Sequence, residues 1–299
     1  MGLLSFRHTP NISFTRFKML PIFLLVGMFL MAGLGYVFKG LNLGIDFKGG
    51  ILVEAQLLKA PDLSKLRSDL KESLKQEVTL QQISKPENTL MVRLESSEKS
   101  EESIATLKKV LGEGTVYRKI DSIGPKVGQE LINSSAWATF WAMIAIFAYV
   151  WFRFEWSFAI SALLSLLHDC AGILAFFCFF GMEFNEGAII SFLITVSYSI
   201  NDTVVIFDRL RENKGYRKTL SWSELINLSI NETLSRTILT SATTLLALGL
   251  LYLLGGEVIA VYSLPLFVGI IIGTYSSIMI SAPLLNWFHA KAPGKHVIK

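Results

Sequence analysis

Gly187-Ala-Ile-Ile-Ser-Phe-Leu-Ile-Thr-Val-Ser-Tyr-Ser-Ile-Asn-Asp-Thr-Val-Val-Ile-Phe207 holds a single charged residue, Asp202. At ~1.5 Å per residue it is long enough to cross the ~30 Å hydrocarbon core of a bilayer. Five further stretches pass the same test of length and polarity: Met19–Phe38, Asn133–Phe152, Trp156–Met182, Thr237–Gly256 and Val258–Phe288. The last is too long for one straight span, and Pro265 and Pro283 are expected to bracket its membrane-embedded part. Arg7, Arg16 and Lys18 precede the first, as in a signal peptide. Its apolar run exceeds the usual h-region and has no clear small-x-small cleavage site, so it reads as an uncleaved helix.

Composition agrees with a polytopic α-helical membrane protein of six transmembrane helices. Hydrophobic residues make up 52% of the 299 and charged ones 17%, with mean hydropathy +0.48. A soluble domain carries about 25% charged residues. Residues 39–132 hold 15 Lys/Arg and 14 Asp/Glu, more than half of all the charge in the chain. They read as a water-soluble α+β domain between the first and second spans. Ile51–Leu58 has strand character, and Leu63, Leu66, Leu70 and Leu74 recur as one helix face. Val78–Ser84 and Thr89–Glu95 form a hairpin around Lys85-Pro-Glu-Asn88. Ser100–Leu111 is a second helix, stopped by Gly112 and Gly114, and Val116–Ile120 is a last strand. The order β-α-β-β-α-β is the ferredoxin-like split βαβ unit, which fixes no function by itself.

Orientation follows from the Lys/Arg bias. Alternating spans place all 13 basic residues outside residues 39–132 on one side: Arg7, Arg16, Lys18, Arg153, Arg209, Arg211, Lys214, Arg217, Lys218, Arg236, Lys291, Lys295 and Lys299. The other side has short links carrying Glu183, Glu186 and Glu257. The expected division is a cytoplasmic N-terminus (1–18), helix 1 (19–38), an exported domain (39–132), a five-helix bundle (133–288, with a cytoplasmic loop at 208–235) and a cytoplasmic C-terminus (289–299). In a bacterium the exported side is the periplasm and the membrane is the inner one.

Ionisable side chains deep in a span mark function by default. They are His168 and Asp169 on helix 3 and Asp202 on helix 4, with Arg236 at the cytoplasmic entry of helix 5. Ser161, Ser165, His168/Asp169 and Gly172 share a face, as do Ser191, Thr195, Ser199 and Asp202, and Thr237, Ser241 and Thr244. Three facing stripes would make a wettable seam, with Asp202 and Arg236 as a proton-relay element. Each residue also has a plain reading: Ser and Thr bonding their own helix, a static Asp202–Arg236 ion pair, a neutral packed His168. Cys170 and Cys178, ~12 Å apart along one helix, are too distant for a disulfide. Gly269 and Gly273 fit close helix packing.

Asp208–Ser235 combines a basic cluster, read as a topology anchor, with Ser221-x-x-Glu224 in capping-box form. Trp222, Leu225, Ile226 and Ile230 share a face expected to lie along the membrane surface. No GxxxxGK[ST], HExxH or CxxC is present, so the reading assigns no cofactor, no metal and no enzymatic role.

Leu43-Gly-Ile-Asp-Phe-Lys-Gly-Gly50 resembles the Gly-Gly signature of the SecD/SecF family. Val196-Ser-Tyr-Ser-Ile-Asn-Asp-Thr-Val-Val-Ile-Phe-Asp-Arg-Leu-Arg-Glu-Asn213 resembles that family's fourth-helix motif. Ile123-Gly-Pro-Lys-Val-Gly128, Asn231-Glu-Thr-Leu-Ser-Arg-Thr237 and Thr240-Ser-Ala-Thr-Thr244 add matches in the expected order. One six-helix unit with a small outer domain is similar to the SecF branch rather than SecD. The resemblance implies membership of the RND superfamily and a role in drawing secreted polypeptides outward with the proton gradient. It implies SecD and the SecYEG channel as partners, with YajC a further candidate, and no nucleic acid. The family's membrane carboxylate falls on Asp202 and its helix 5 arginine on Arg236, with His168 and Asp169 as secondary candidates. SecD would supply the partner carboxylate. Gly44, Asp46, Phe47, Gly49, Gly50, Asn201 and Thr203 are the family-signature positions.

Three rivals stand beside this reading. An RND-type small-molecule exporter would share the proton-coupled bundle, but normally has two large outer domains. An intramembrane aspartyl protease would need Asp169 and Asp202 within ~3 Å, sharing a proton; counted from the cytoplasmic ends they lie ~18 and ~9 Å deep. A static scaffold would make Asp202→Asn harmless.

Overall fold

The computed structural model describes residues 10–290 apart from 59–61, 75, 77, 84–87, 95–99, 113 and 218. Arg7, Lys218, Lys291, Lys295 and Lys299 of the basic set, and residues 85–87 of the hairpin turn, lie outside the described residues. The chain divides into two compact units. One comprises the residues up to Leu41, Thr139–Met182 and everything from Gly187 onward; the other is Asn42–Ala138 together with Glu183–Glu186.

The second unit holds the α/β domain expected between the first two spans, with bounds other than 39–132: it starts at Asn42, runs to Ala138 and takes in Glu183–Glu186. Short helix α2 (Ile45–Lys48) leads into β1 (Gly50–Gln56), followed by α3 (Leu63–Leu74), β2 (Val78–Ile83), β3 (Thr89–Leu94), α4 (Ser100–Leu111) and β4 (Val116–Ile123). The sheet order β2-β3-β1-β4 is antiparallel throughout. That is the ferredoxin-like arrangement expected from the element order. Ile51, Val53 and Ala55 alternate onto the face that packs with Leu70 of α3 and Leu107 of α4, as a period of two requires. β1 is central, so its inner face is fully buried; β4 is an edge strand and mostly exposed.

Among the described residues, six helices are long and apolar enough to cross a membrane. They are α1 (Leu20–Lys39), α5 (Pro125–Arg153), α6 (Trp156–Phe180), α7 (Glu186–Tyr216), α8 (Trp222–Leu254) and α9 (Gly256–Ser276) with its continuation. Helix α5 begins earlier than its apolar run, because Pro125 suits a first helical position where no N–H is needed. Past α9 the backbone widens into a π-helical turn, Ser277–Ser281, and resumes as α10 (Ala282–Ala290). Pro283 accounts for the widening: its ring clashes with the carbonyl four residues back and it donates no hydrogen bond. Pro283 therefore lies inside the continuous helical rod, as does Pro265.

The segment 208–235 differs from its expectation. Residues 208–216 continue α7, and α8 starts at Trp222, where Ser221 and Glu224 form the capping box. Leu225, Ile226 and Ile230 are buried in one core with Ile206, Phe207 and Leu210 of α7 and Phe158 of α6. The apolar face covers the extension of α7, so it is protein core rather than a membrane-surface face. Phe14 packs on the same core. The stretch before α1 is strapped there by two asparagines: Asn231 accepts from Ile12 N at 3.1 Å and donates to Ile12 O at 2.8 Å. Asn227 accepts from Thr15 N at 3.0 Å and donates to Thr15 Oγ1 at 2.8 Å.

Candidate functional site

Helix α6 buries Ser161, Ser165, His168, Asp169 and Gly172 on one face, and α7 buries Ser191, Thr195, Ser199 and Asp202. Thr237 and Ser241 of α8 are buried as well. The three stripes read from 3–4 residue spacing are therefore turned inward, apart from Thr244, which is half-buried. A fourth contributor was not anticipated: the last span brings Tyr275, Ser276, Ser277 and Ser281. Close packing makes this possible. A Cβ on Gly273 would stand 2.9 Å from Ser199 Cβ, and one on Gly269 would run into Thr195. Gly269 and Gly273 thus let α9 approach the polar face of α7.

Asp169 is completely buried. Its Oδ1 is 3.1 Å from His168 Nδ1, and Ser199 Oγ donates to its Oδ2 at 2.5 Å. The other imidazole nitrogen, Nε2, lies 2.8 Å from the Tyr275 hydroxyl. Tyr275, His168, Asp169 and Ser199 thus form one chain across α9, α6 and α7. A parallel chain runs through the π-helical turn. Thr203 Oγ1 donates to Ser277 Oγ at 2.9 Å, and that hydroxyl lies 3.1 Å from the Ser199 carbonyl. Ser161 Oγ donates to the carbonyl of Ser281, the last residue of that turn.

Asp202 stands one helical turn beyond Ser199 and is 3% exposed. Its Oδ2 has no hydrogen-bond partner among the described residues, and Ser165 Oγ, Thr195 Oγ1 and Thr237 Oγ1 are in the same condition. Arg236 is exposed. Among the described residues no ion pair joins it to Asp202, so the static Asp202–Arg236 pair is not formed. Nor do Asp169 and Asp202 share a hydrogen bond, which removes the geometry an aspartyl protease needs. Asn201, beside Asp202, faces outward with Ser197, although both lie in an apolar span.

The other signature residues sit in the second unit. Asp46 Oδ2 accepts from Glu186 N at 3.1 Å. Phe47 packs on Phe184, ring centroids 5.7 Å apart. Leu43 and Phe184 form an isolated parallel β-bridge, with Gly44 N donating to Phe184 O at 2.8 Å and Phe184 N to Asn42 O at 2.7 Å. Arg93 of β3 pairs with Glu183. Gly49 and Gly50 have φ of 74° and 147°, and a Cβ on Gly50 would stand 2.6 Å from the Leu94 carbonyl. That turn from α2 into β1 therefore requires glycine.

Together these features define a multi-pass membrane protein with a ferredoxin-like domain between its first two spans and a buried carboxylate–hydroxyl network in its bundle. Residues 103–291 match the model of the family "Protein export membrane protein SecD/SecF, C-terminal", and residues 37–57 match the SecD/SecF GG motif. Protein translocase subunit SecF of Rickettsia felis is 46% identical over 268 residues, covering 86% of this chain and 85% of that protein. The Rickettsia prowazekii protein of the same name is 41% identical over 311 residues, covering 100% and 98%. The chain belongs to the SecD/SecF family, in its SecF branch. Among solved structures, SecDF of Thermus thermophilus, a translocon-associated membrane protein, is 31% identical with a TM-score of 0.82. The match covers 97% of this chain and 40% of that one, so this chain spans less than half the length of SecDF. SecDF in its super-membrane-facing form gives a TM-score of 0.70 at 33% identity.

Proposed function

We propose that this chain is the SecF-type half of a proton-driven membrane subcomplex that helps draw unfolded secretory polypeptides through the SecYEG channel. SecD completes the bundle, and YajC is a further candidate partner. Both termini are cytoplasmic and the ferredoxin-like domain is periplasmic. Asp202 takes up and releases the proton, and Arg236 favours its ionised form in one state of the cycle. His168 and Asp169 form a second polar station alongside. The chain works as a transport subunit and catalyses no covalent step of its own.

The observation that carries this reading is the environment of Asp202. A carboxyl buried in a span with one oxygen unpaired is costly to keep. A group that must exchange protons needs such an uncommitted oxygen. Exposed Arg236 and Asn201 support a membrane partner, since polar groups on a lipid-facing surface are unfavourable. One charge crossing 100 mV supplies about 2.3 kcal/mol, against about 5.5 kcal/mol to swing a two-state equilibrium fully. A single proton therefore biases the cycle only in part.

The test is late-stage export in membrane vesicles, with and without an uncoupler. Asp202→Asn keeps the shape and removes the titration, and is expected to abolish gradient-dependent export while leaving assembly with SecD intact. Arg236→Lys retains part of it, because charge survives although the planar fork does not. An Asn variant that exports at the wild-type rate and still slows with uncoupler overturns the role of Asp202.

A further inference from the structure

Residues 181–185 connect two membrane helices, α6 and α7, yet Glu183–Asn185 and the first residue of α7, Glu186, group with the ferredoxin-like unit. A short connection needs no such partners. This one has four kinds: the Leu43–Phe184 bridge, the Phe47–Phe184 ring contact, the Arg93–Glu183 ion pair and the Asp46 bond to the Glu186 amide. Asp46 accepts from the first N–H of α7, one that the helix itself leaves unpaired and that favours a negative charge. Arg93 anchors the other end of the link to β3, which pairs with β1 and β2 at the centre of the sheet. Its ion pair is about three-quarters buried on both sides, with 24% and 27% of the side chains exposed. The Gly-Gly turn aims this grip, because Gly49 and Gly50 set the direction in which Leu43–Phe47 meets the link.

We propose that Arg93, Glu183 and Asp46 are positioning residues that latch the α6–α7 link into the outer domain, so that a shift of α7 at Asp202 is handed to the β-sheet. The inference rests on the proton-driven reading above. It gives the Gly-Gly signature a mechanical task, and the latch works closed: the link and sheet move as one body throughout the cycle. The ion pair and the bridge fix the link at two separate points, which resists pivoting about either alone.

The experiment compares Arg93→Glu, Glu183→Arg and the two together in the full chain with its partner, in vesicles. Each single reversal is expected to lower gradient-stimulated export about fivefold or more, the lower end of a coupling between two sites. The exchange restores it, and trypsin resistance of the outer domain stays at the wild-type level in all three. Wild-type export in either single variant, failure of the exchange, or an outer domain that becomes trypsin-sensitive in the singles overturns the proposal.

Should a reversal fail to accumulate, Leu43→Cys with Phe184→Cys decides, in a Cys170→Ala/Cys178→Ala background. Bridge partners lie within disulfide reach, and the oxidised protein is expected to export normally. No disulfide, or export that stops on oxidation and resumes on reduction, overturns a latch that works closed. Failure of the proton reading shows instead as Asp202→Asn exporting like wild type. Failure of the latch alone shows as Arg93→Glu keeping the gradient response that Asp202→Asn has lost.

Discussion

The hydroxyl of Tyr275 lies 2.8 Å from His168 Nε2, with the two rings edge to face at 5.4 Å and 88°. With Tyr275 donating to Nε2, the ring proton sits on Nδ1, facing Asp169. The bond between Nε2 and this hydroxyl thus ties the tautomer of a histidine on α6 to a residue on the last span.

Tyr275→Phe keeps the ring contact and removes only the oxygen. A buried nitrogen left without its donor costs about 1–3 kcal/mol. The midpoint of thermal unfolding in detergent is expected to fall accordingly, and to fall no further when His168→Leu is combined with it. Additive losses would mean that the two side chains do not act as a pair.

Gly273→Val drives two methyl groups into the Ser199 backbone and side chain. Overpacking of this kind costs about 1–3 kcal/mol, and the displaced Ser199 loses its bond to Asp169. Reduced accumulation of the folded protein is expected, whereas Gly27→Val, where nothing lies within 4 Å of an added Cβ, should accumulate normally.

Asn231→Ala removes both bonds to the Ile12 backbone. Ile12 is about half exposed, so water takes over part of each bond and the loss is about 0.5–1.5 kcal/mol apiece. Trypsin should then cut at Arg16 sooner than in the wild type, followed as loss of an N-terminal tag. Equal cutting rates would show that Asn227 and Phe14 hold the strap unaided.

Orientation is checked by thiol labelling of intact cells with an impermeant reagent. Lys109→Cys on α4 should react and Tyr216→Cys, on an exposed position at the end of α7, should not. The opposite pattern would reverse the topology inferred from the basic residues.

Local signals were legible in the sequence wherever neighbours along the chain decide structure. Strand alternation in Ile51–Ala55, the leucine face of α3, the Ser221–Glu224 box and, Thr244 apart, the inward stripes of α6, α7 and α8 appear as read. Legibility stopped at the last span, because the π-helical turn at Ser277–Ser281 resets the helical phase and no 3.6-residue count carries across it. The apolar face at Leu225–Ile230 was misassigned for a related reason. Periodicity identifies a buried face but not what buries it, and here the cover is the extension of α7. Asp202 stood out by its type alone. The partners of Asp169 on α7 and α9 did not, since helices distant in sequence bring them together.

The strap also has a history in time. Ile12 and Asn231 are 219 positions apart, so the chain is extended for about 10–45 s between making one and making the other, at about 5–20 residues per second. During that interval Ile12 has no Asn231 to bind, while α1, α5, α6 and α7 are all being placed. The asparagine pair can close only on a molecule whose first four spans are already made. Its closure therefore marks late biogenesis, and a strap variant should show its defect first in newly made protein rather than in the mature pool.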